Sequence, residues 1–150
     1  MSFKKVMVAS DHGGYRLKQD IISFLEKIHI EVTDGGCDDD EDSVDYPIYG
    51  EKAARAVVSK KVDGAIIICG TGIGISIAAN RVKGARAALC DNAEYAKLTR
   101  LHNDCNILAL GGRFIDGQTA RKIIFAWLNT EYEGGRHEKR IKMLDEIEAV

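Results

Sequence analysis

The sequence predicts an α/β fold, a parallel sheet with helices on both faces. Three observations carry this. Short apolar runs alternate with segments of helical periodicity along the whole chain. Two of the runs, Val6-Met7-Val8 and Ala65-Ile66-Ile67-Ile68, have no polar position, as strands covered on both faces require. Three predicted strands lead into the glycine-bearing stretches Gly13-Gly14, Gly70-Thr71-Gly72-Ile73-Gly74 and Gly111-Gly112, the type of turn that joins strand to helix in doubly wound sheets.

Phe3 to Ser10 reads as the first strand. Tyr15 to Ile28 follows as a helix, with Leu17, Ile21, Leu25 and Ile28 on one face. Ile30 to Thr33 is a short second strand, ended by Asp34-Gly35-Gly36. The acidic run Asp38 to Asp42 belongs to a loop that closes at Pro47, and such a run reads first as a solvated loop. Alanines and valines between Ile48 and Lys60 predict a second helix. Ala65 to Ile68 is the third strand and leads through Cys69 and the glycine turn into a helix ending at Asn80. Ala85 to Cys90 is the fourth strand, Ala93 to Leu101 a helix, and Asn106 to Leu110 the fifth strand. Helices over Gly117 to Asn129 and Arg136 to Ile147 complete the chain. The sum is a Rossmann-like three-layer fold with a five-stranded parallel sheet and a C-terminal helix, expected as one domain over residues 1–150.

Length and composition agree. A chain of 150 residues buries roughly two thirds of the surface its unfolded form exposes. Its net charge of −2 lacks the basic excess of nucleic-acid or membrane-surface proteins, so neither partner is expected. No apolar stretch approaches a membrane span, and Met1 to Lys5 has no signal-like region, so a cytoplasmic location is expected. Cys37, Cys69, Cys90 and Cys105 form no C-x-x-C pair, and the four histidines form no H-x-x-x-H pair. Neither zinc-knuckle spacing nor a disulfide framework is predicted.

Ligands in such sheets bind beyond the carboxyl ends of the strands. There the sequence puts Asp11 and His12 after the first strand, Cys69 and its glycine turn after the third, and Arg113 after the fifth. The G-x-G-x-G spacing on the third strand fails the dinucleotide fingerprint, and no lysine follows Gly74 to make a Walker A loop. A cysteine-dependent phosphatase needs an arginine where Ile75 stands. What survives is a nest of amides at a helix N-terminus, poised for an anion, with a thiol at its mouth. A thiol so placed is a base or nucleophile usable near neutral pH. Cys90 and Cys105 read instead as small buried hydrophobes, His137 as structural, and Tyr46 as either core or pocket wall.

Ser10-Asp11-His12-Gly13-Gly14, Asp45-Tyr46-Pro47, Cys69 through Ser76, Arg100-Leu101-His102-Asn103-Asp104 and Glu133-Gly134-Gly135-Arg136-His137 occur together and in order. In this combination the chain resembles ribose-5-phosphate isomerase type B, a family with the related galactose-6-phosphate isomerase subunits. The resemblance implies interconversion of aldose and ketose sugar phosphates without a metal or organic cofactor. It also implies a homodimer or homotetramer whose active sites are shared between subunits. Cys69 then matches the base that moves a proton between C1 and C2. Gly70, Thr71, Gly72, Ile73 and Gly74 match the amides on the enediolate oxygen. His102 matches the acid that opens the sugar ring, with Asn103 beside it. Asp11 and His12 match sugar- and phosphate-end contacts, and Arg113, Arg136 and Arg140 match the phosphate grip. Some relatives carry a glutamate at the position of Ile75 in place of the thiol, so this chain falls in the thiol subgroup.

Chemistry read from the residues agrees, since an isomerase needs one carbon base, donors for an enediolate, an acid–base group for ring opening and a phosphate anchor. Two alternatives stay open at this level. One is a six-carbon aldose 6-phosphate such as allose or galactose phosphate as substrate. The other is a sugar-phosphate-binding subunit without activity of its own.

Overall fold

The computed structural model describes residues 3–148; Met1, Ser2, Ala149 and Val150 of the domain expected over 1–150 lie outside the described residues. Five strands form one all-parallel sheet: β1 (Lys5–Ser10), β2 (Glu31–Asp34), β3 (Gly64–Cys69), β4 (Ala87–Leu89) and β5 (Ile107–Gly111). Their order across the sheet is β2-β1-β3-β5-β4, with β3 at the centre. Six helices connect and follow them: α1 (Tyr15–Lys27), α2 (Tyr46–Val58), α3 (Ile73–Asn80), α4 (Ala93–Asn103), α5 (Gly117–Leu128) and α6 (Arg136–Asp145). A single 3-10 turn, His12–Gly14, separates β1 from α1.

The alternation of side chains along each strand divides the core in two. Val6, Val8, Ile66, Ile68, Leu108 and Leu110 face α1, α4 and α5, where Leu17, Ile21, Ile123 and Trp127 cover them. Met7, Ala9, Ala65, Ile67, Cys69, Ile107 and Ala109 face α2 and α3. On that second face Ala53, Ala54 and Ala56 let α2 approach closely. Complete burial of each central isoleucine stabilises the fold by about 1.5–3 kcal/mol, an upper figure for the transfer itself.

Element limits differ from expectation at informative places. α2 starts at Tyr46, so Pro47 lies in its first turn. There the missing N–H costs nothing, because first-turn amides lack helical partners anyway. β4 is only Ala87–Leu89, shorter than the expected Ala85 to Cys90, because the chain ahead of it is tied sideways. Asn106 Oδ1 accepts from the Arg86 amide at 2.8 Å, and its amide nitrogen donates to the Gly84 carbonyl. Lys18, on α1, is fully buried, and its ammonium donates to Asp34 Oδ1 at 2.6 Å. The two faces diverge between β1 and β3: β1 feeds α1 on one side and β3 feeds α3 on the other. That divergence opens the crevice in which open α/β sheets bind ligands.

Cys90 and Cys105 are buried as expected of packing residues, and loss of hydration pushes the Cys90 thiol up to about 11 and the Cys105 thiol up to about 12. A raised folded-state value means that the folded form keeps its protons while the unfolded chain releases them, so stability is full below the ordinary thiol value and falls above it. Between pH 9 and 11 each thiol should remove about 1.4 kcal/mol of stability per pH unit. Urea unfolding across that range should show a steeper decline for the wild type than for the Cys90→Ala/Cys105→Ala double variant. Equal slopes would show that neither thiol is held protonated by the fold.

Candidate active site

Three turns meet at the carboxyl edge of the sheet. The ladder bonds of β1, β3 and β5 run on into them: Asp11 N–H donates to the Ile68 carbonyl at 3.2 Å, Gly112 to Cys69 at 2.8 Å, and Arg113 to Gly70 at 3.0 Å. The glycines are there because the backbones touch. A Cβ at Gly14 would lie 2.7 Å from the Ile68 carbonyl oxygen, and one at Gly111 would lie 2.6 Å from that of Thr71. Gly72, at φ +80°, is the N-cap of α3, and a Cβ on it would meet Leu110 backbone at 2.8 Å.

Cys69 ends β3 on the α2/α3 face and is buried. Its Sγ accepts the Gly72 N–H at 3.1 Å, an amide hydrogen placed to offset negative charge on sulfur. Thr71 Oγ1 accepts from the Ile73 N–H at 3.1 Å and closes the turn. Tyr46 settles as a wall: its ring lies on the glycine turn, where a Cβ at Gly74 would come within 2.6 Å of it. Asp11 is buried, and its carboxylate accepts from the Gly14 N–H at 3.2 Å. His12 accepts at Nδ1 from the Val44 N–H at 3.1 Å, a bond that leaves Nε2 as the protonated nitrogen of the neutral ring. The Arg113 guanidinium lies over Gly70 and Gly13, within 3.1 Å and 3.4 Å of where their Cβ atoms would be. Thiol, imidazole, carboxylate and guanidinium therefore surround one crevice.

The remaining candidates stand elsewhere. α4 starts at the carboxyl edge and runs back antiparallel to the strands, so His102 and Asn103 at its end lie at the opposite edge, about 15 Å away along the helix. Asn103 and Asp104 carbonyls there accept from Arg86 Nε, just ahead of β4. Arg136 and Arg140 follow on α6, which packs against α4. Within one chain the fold gathers Asp11, His12, Cys69, the glycine turn and Arg113, and separately His102, Asn103, Arg136 and Arg140.

His137, read as structural from the sequence, is 5% exposed, because the opening turn of α6 folds onto the end of α4. Its ring stacks on His102 with centroids 4.5 Å apart. Glu133 completes a trio in which one ligand atom of each residue lies within 4.8 Å of the others. No sequence spacing pointed to this trio, since His102 is far from the other two along the chain.

Comparison with known proteins decides the family. A model described as Ribose/Galactose Isomerase matches residues 6–144. The chain belongs to the ribose/galactose isomerase family. By that membership it is an isomerase. Ribose-5-phosphate isomerase B of Escherichia coli K12 is 46% identical over 145 residues, covering 97% of each chain. The structure of ribose-5-phosphate isomerase B from Clostridium thermocellum matches with a TM-score of 0.93 and 51% identity over 95% of each chain. The Mycoplasma genitalium ribose-5-phosphate isomerase B, solved with bound ribulose-5-phosphate, matches with a TM-score of 0.90 and 37% identity, over 94% of this chain and 93% of that one. Among the described residues no helix is long and apolar enough to cross a membrane.

The turn geometry predicts the cost of disturbing it. Gly72→Ala forces a side chain into a left-handed dihedral worth about 1–3 kcal/mol, before any overlap with Leu110 is counted. Thermal unfolding should show a Tm several degrees lower and the assay a loss of activity. An unchanged Tm would mean that the turn has room to relax.

Proposed function

We propose that this chain interconverts ribose 5-phosphate and ribulose 5-phosphate through an enediolate, with Cys69 as the carbon base. The observation that carries the reading is the Cys69 sulfur held by the Gly72 amide at the mouth of the glycine turn. The relatives named ribose-5-phosphate isomerase B support the pentose phosphate as substrate.

The chemistry runs in two stages. His102 first opens the furanose, taking the proton of the anomeric hydroxyl and returning one to the ring oxygen as the carbonyl forms. Cys69, as thiolate, then removes the proton from C2 of the aldose, and the C2 electron pair moves toward C1. Negative charge collects on the oxygen at C1, where the amides of Gly70 to Gly74 stabilise it. The Cys69 thiol returns the proton to C1, the O2 proton passes to O1, and the ketose carbonyl forms at C2 beside a C1 hydroxyl. Asn103 assists at the sugar, Asp11 and His12 contact its two ends, and Arg113, Arg136 and Arg140 hold the phosphate, which fixes the reacting carbons over the thiol. No step requires a metal or an organic cofactor.

Because His102, Arg136 and Arg140 lie at the sheet edge away from Cys69, we take the working unit to be at least a homodimer, with each site completed by a second copy. Ile73, Ile77, Leu89, Tyr95 and Phe114, all exposed around the carboxyl edge, supply apolar area for such an interface. A single domain acting in the cytoplasm on a small sugar phosphate, with neither nucleic acid nor membrane as partner, completes the reading.

A coupled assay should give a higher kcat/KM on ribose 5-phosphate than on allose or galactose 6-phosphate, and the reverse order would transfer the function to the six-carbon sugar. Cys69→Ala should lower kcat by about 10²–10⁴-fold with little change in KM, as loss of a general base does. A near-normal kcat would place the base elsewhere.

Mixing chains tests the shared site. Neither Cys69→Ala nor His102→Ala should be appreciably active alone. In a two-fold dimer each mixed pair carries one site with both native groups, so random exchange should restore about a quarter of wild-type activity. Mixtures that regain nothing after verified subunit exchange would mean that each site is built within one chain.

A further inference from the structure

We propose that His102, Glu133 and His137 form a binding site for a divalent transition-metal ion of the zinc class, and that its occupation shuts the enzyme off. Two imidazoles and a carboxylate are the donors that Zn²⁺ takes, and an ion held by three protein groups keeps a fourth position for water. The site lies at the end of α4, where the opening turn of α6 folds over it.

Two observations point to a ligand here. His137 is nine-tenths buried, yet its Nε2 makes no hydrogen bond. Glu133 Oε2 stands 3.3 Å from that nitrogen, but out of line for an N–H···O bond. A separation of 3.3 Å is what two donors about 2.0–2.1 Å from one tetrahedral ion would have, so this pair already forms one edge of a coordination tetrahedron. The ligand atom of His102 is within 4.8 Å of both others. His102 is half-buried and ends its helix beside the left-handed Asp104, so its ring has room to turn. In the described arrangement its ring stacks on that of His137, which leaves the in-plane nitrogen directions side by side instead of convergent. Binding an ion therefore requires His102 to swing out of the stack and point its nitrogen at the metal.

The acidic run Asp38 to Asp42 offers no comparable arrangement: Asp39 accepts from the Glu41 and Asp42 amides, and Asp40 pairs with Arg16.

Inhibition follows from the same swing, and this part rests on the reading of His102 as the ring-opening group. An imidazole nitrogen bonded to Zn²⁺ can neither accept nor donate a proton. The ion would thus act as a reversible inhibitor removed by a chelator, held by nitrogen and oxygen donors and not by the thiol that zinc would otherwise be expected to attack.

The test uses the full chain, freed of metal by chelator and titrated with ZnCl₂ in a non-coordinating buffer by calorimetry, with Co²⁺ as a spectroscopic probe. One Zn²⁺ should bind per chain, and bound Co²⁺ should give visible absorption without a thiolate charge-transfer band. Glu133→Gln and His137→Gln should each weaken binding roughly tenfold or more, whereas Cys69→Ala should leave it unchanged. Glu133→Gln, at an exposed position, should keep its chelator-measured activity and resist Zn²⁺ inhibition by the same factor. Absent stoichiometric binding, or binding lost in Cys69→Ala and intact in Glu133→Gln, would overturn the site. Binding as described without inhibition would uphold the metal site and overturn instead the ring-opening role of His102.

Discussion

Close contact between backbones at the carboxyl edge is the constraint on which the rest depends. Gly14 lies against the Ile68 carbonyl, Gly111 against that of Thr71, and Gly112 against that of Gly13. These contacts lock the turns after β1, β3 and β5 into one body without any intervening side chain. Cys69 and Asp11, both buried, inherit their positions from that body with little freedom of their own, and Arg113 takes its backbone position from it. A site built this way is preorganised, so an amide aimed at a developing negative charge does not have to be moved into place during the reaction. It also explains why so much glycine appears where its entropic cost on folding is highest.

The architecture divides labour between the two ends of the molecule. Asp11, His12, Cys69 and Arg113 are carried by turns anchored in the central strands β1, β3 and β5, the most deeply buried and so the most rigid part of the fold. His102, Arg136 and Arg140 ride on α4 and α6 at the other end, and α6 is more loosely joined, with Met143 and Leu144 left exposed. Under the proposed chemistry, proton abstraction from carbon belongs to the rigid end. Ring opening and phosphate capture belong to the more adaptable one. That assignment suits their demands, because a carbon acid needs tight alignment whereas an arginine can follow a phosphate over some distance.

The strands were legible because covered parallel strands have no polar positions, and Ala65 to Ile68 admits little else. Turns were legible because Gly13-Gly14 and Gly111-Gly112 follow such strands directly. The order of β4 and β5 was not, since nothing in hydrophobic periodicity says on which side of a neighbour a strand is laid. The burial of His137 was not legible for a related reason. α6 carries Arg136, Glu138, Lys139 and Arg140 around it and looks solvated throughout, and only the fold of α6 onto α4 buries that one ring. The resemblance implied sites shared between subunits, but not which residues stand together within one chain. Only the direction of α4 separates them.

The sheet ends on both sides in strands too short to recruit another chain. β2 has four residues with Glu31 and Asp34 at its limits, and β4 has only three. The apolar segments Gly64–Cys69 and Ile107–Gly111 lie inward of them, flanked on both sides. Such segments in an open-edged sheet would template growth by main-chain hydrogen bonding from molecule to molecule. Short margins on both sides, with charge at the limits of β2, confine that hazard to the unfolded chain and discourage edge-to-edge pairing of folded copies. Under the proposed pairing, greasy surface can therefore face a twin of the molecule and the assembly still stop at a finite size instead of a fibre.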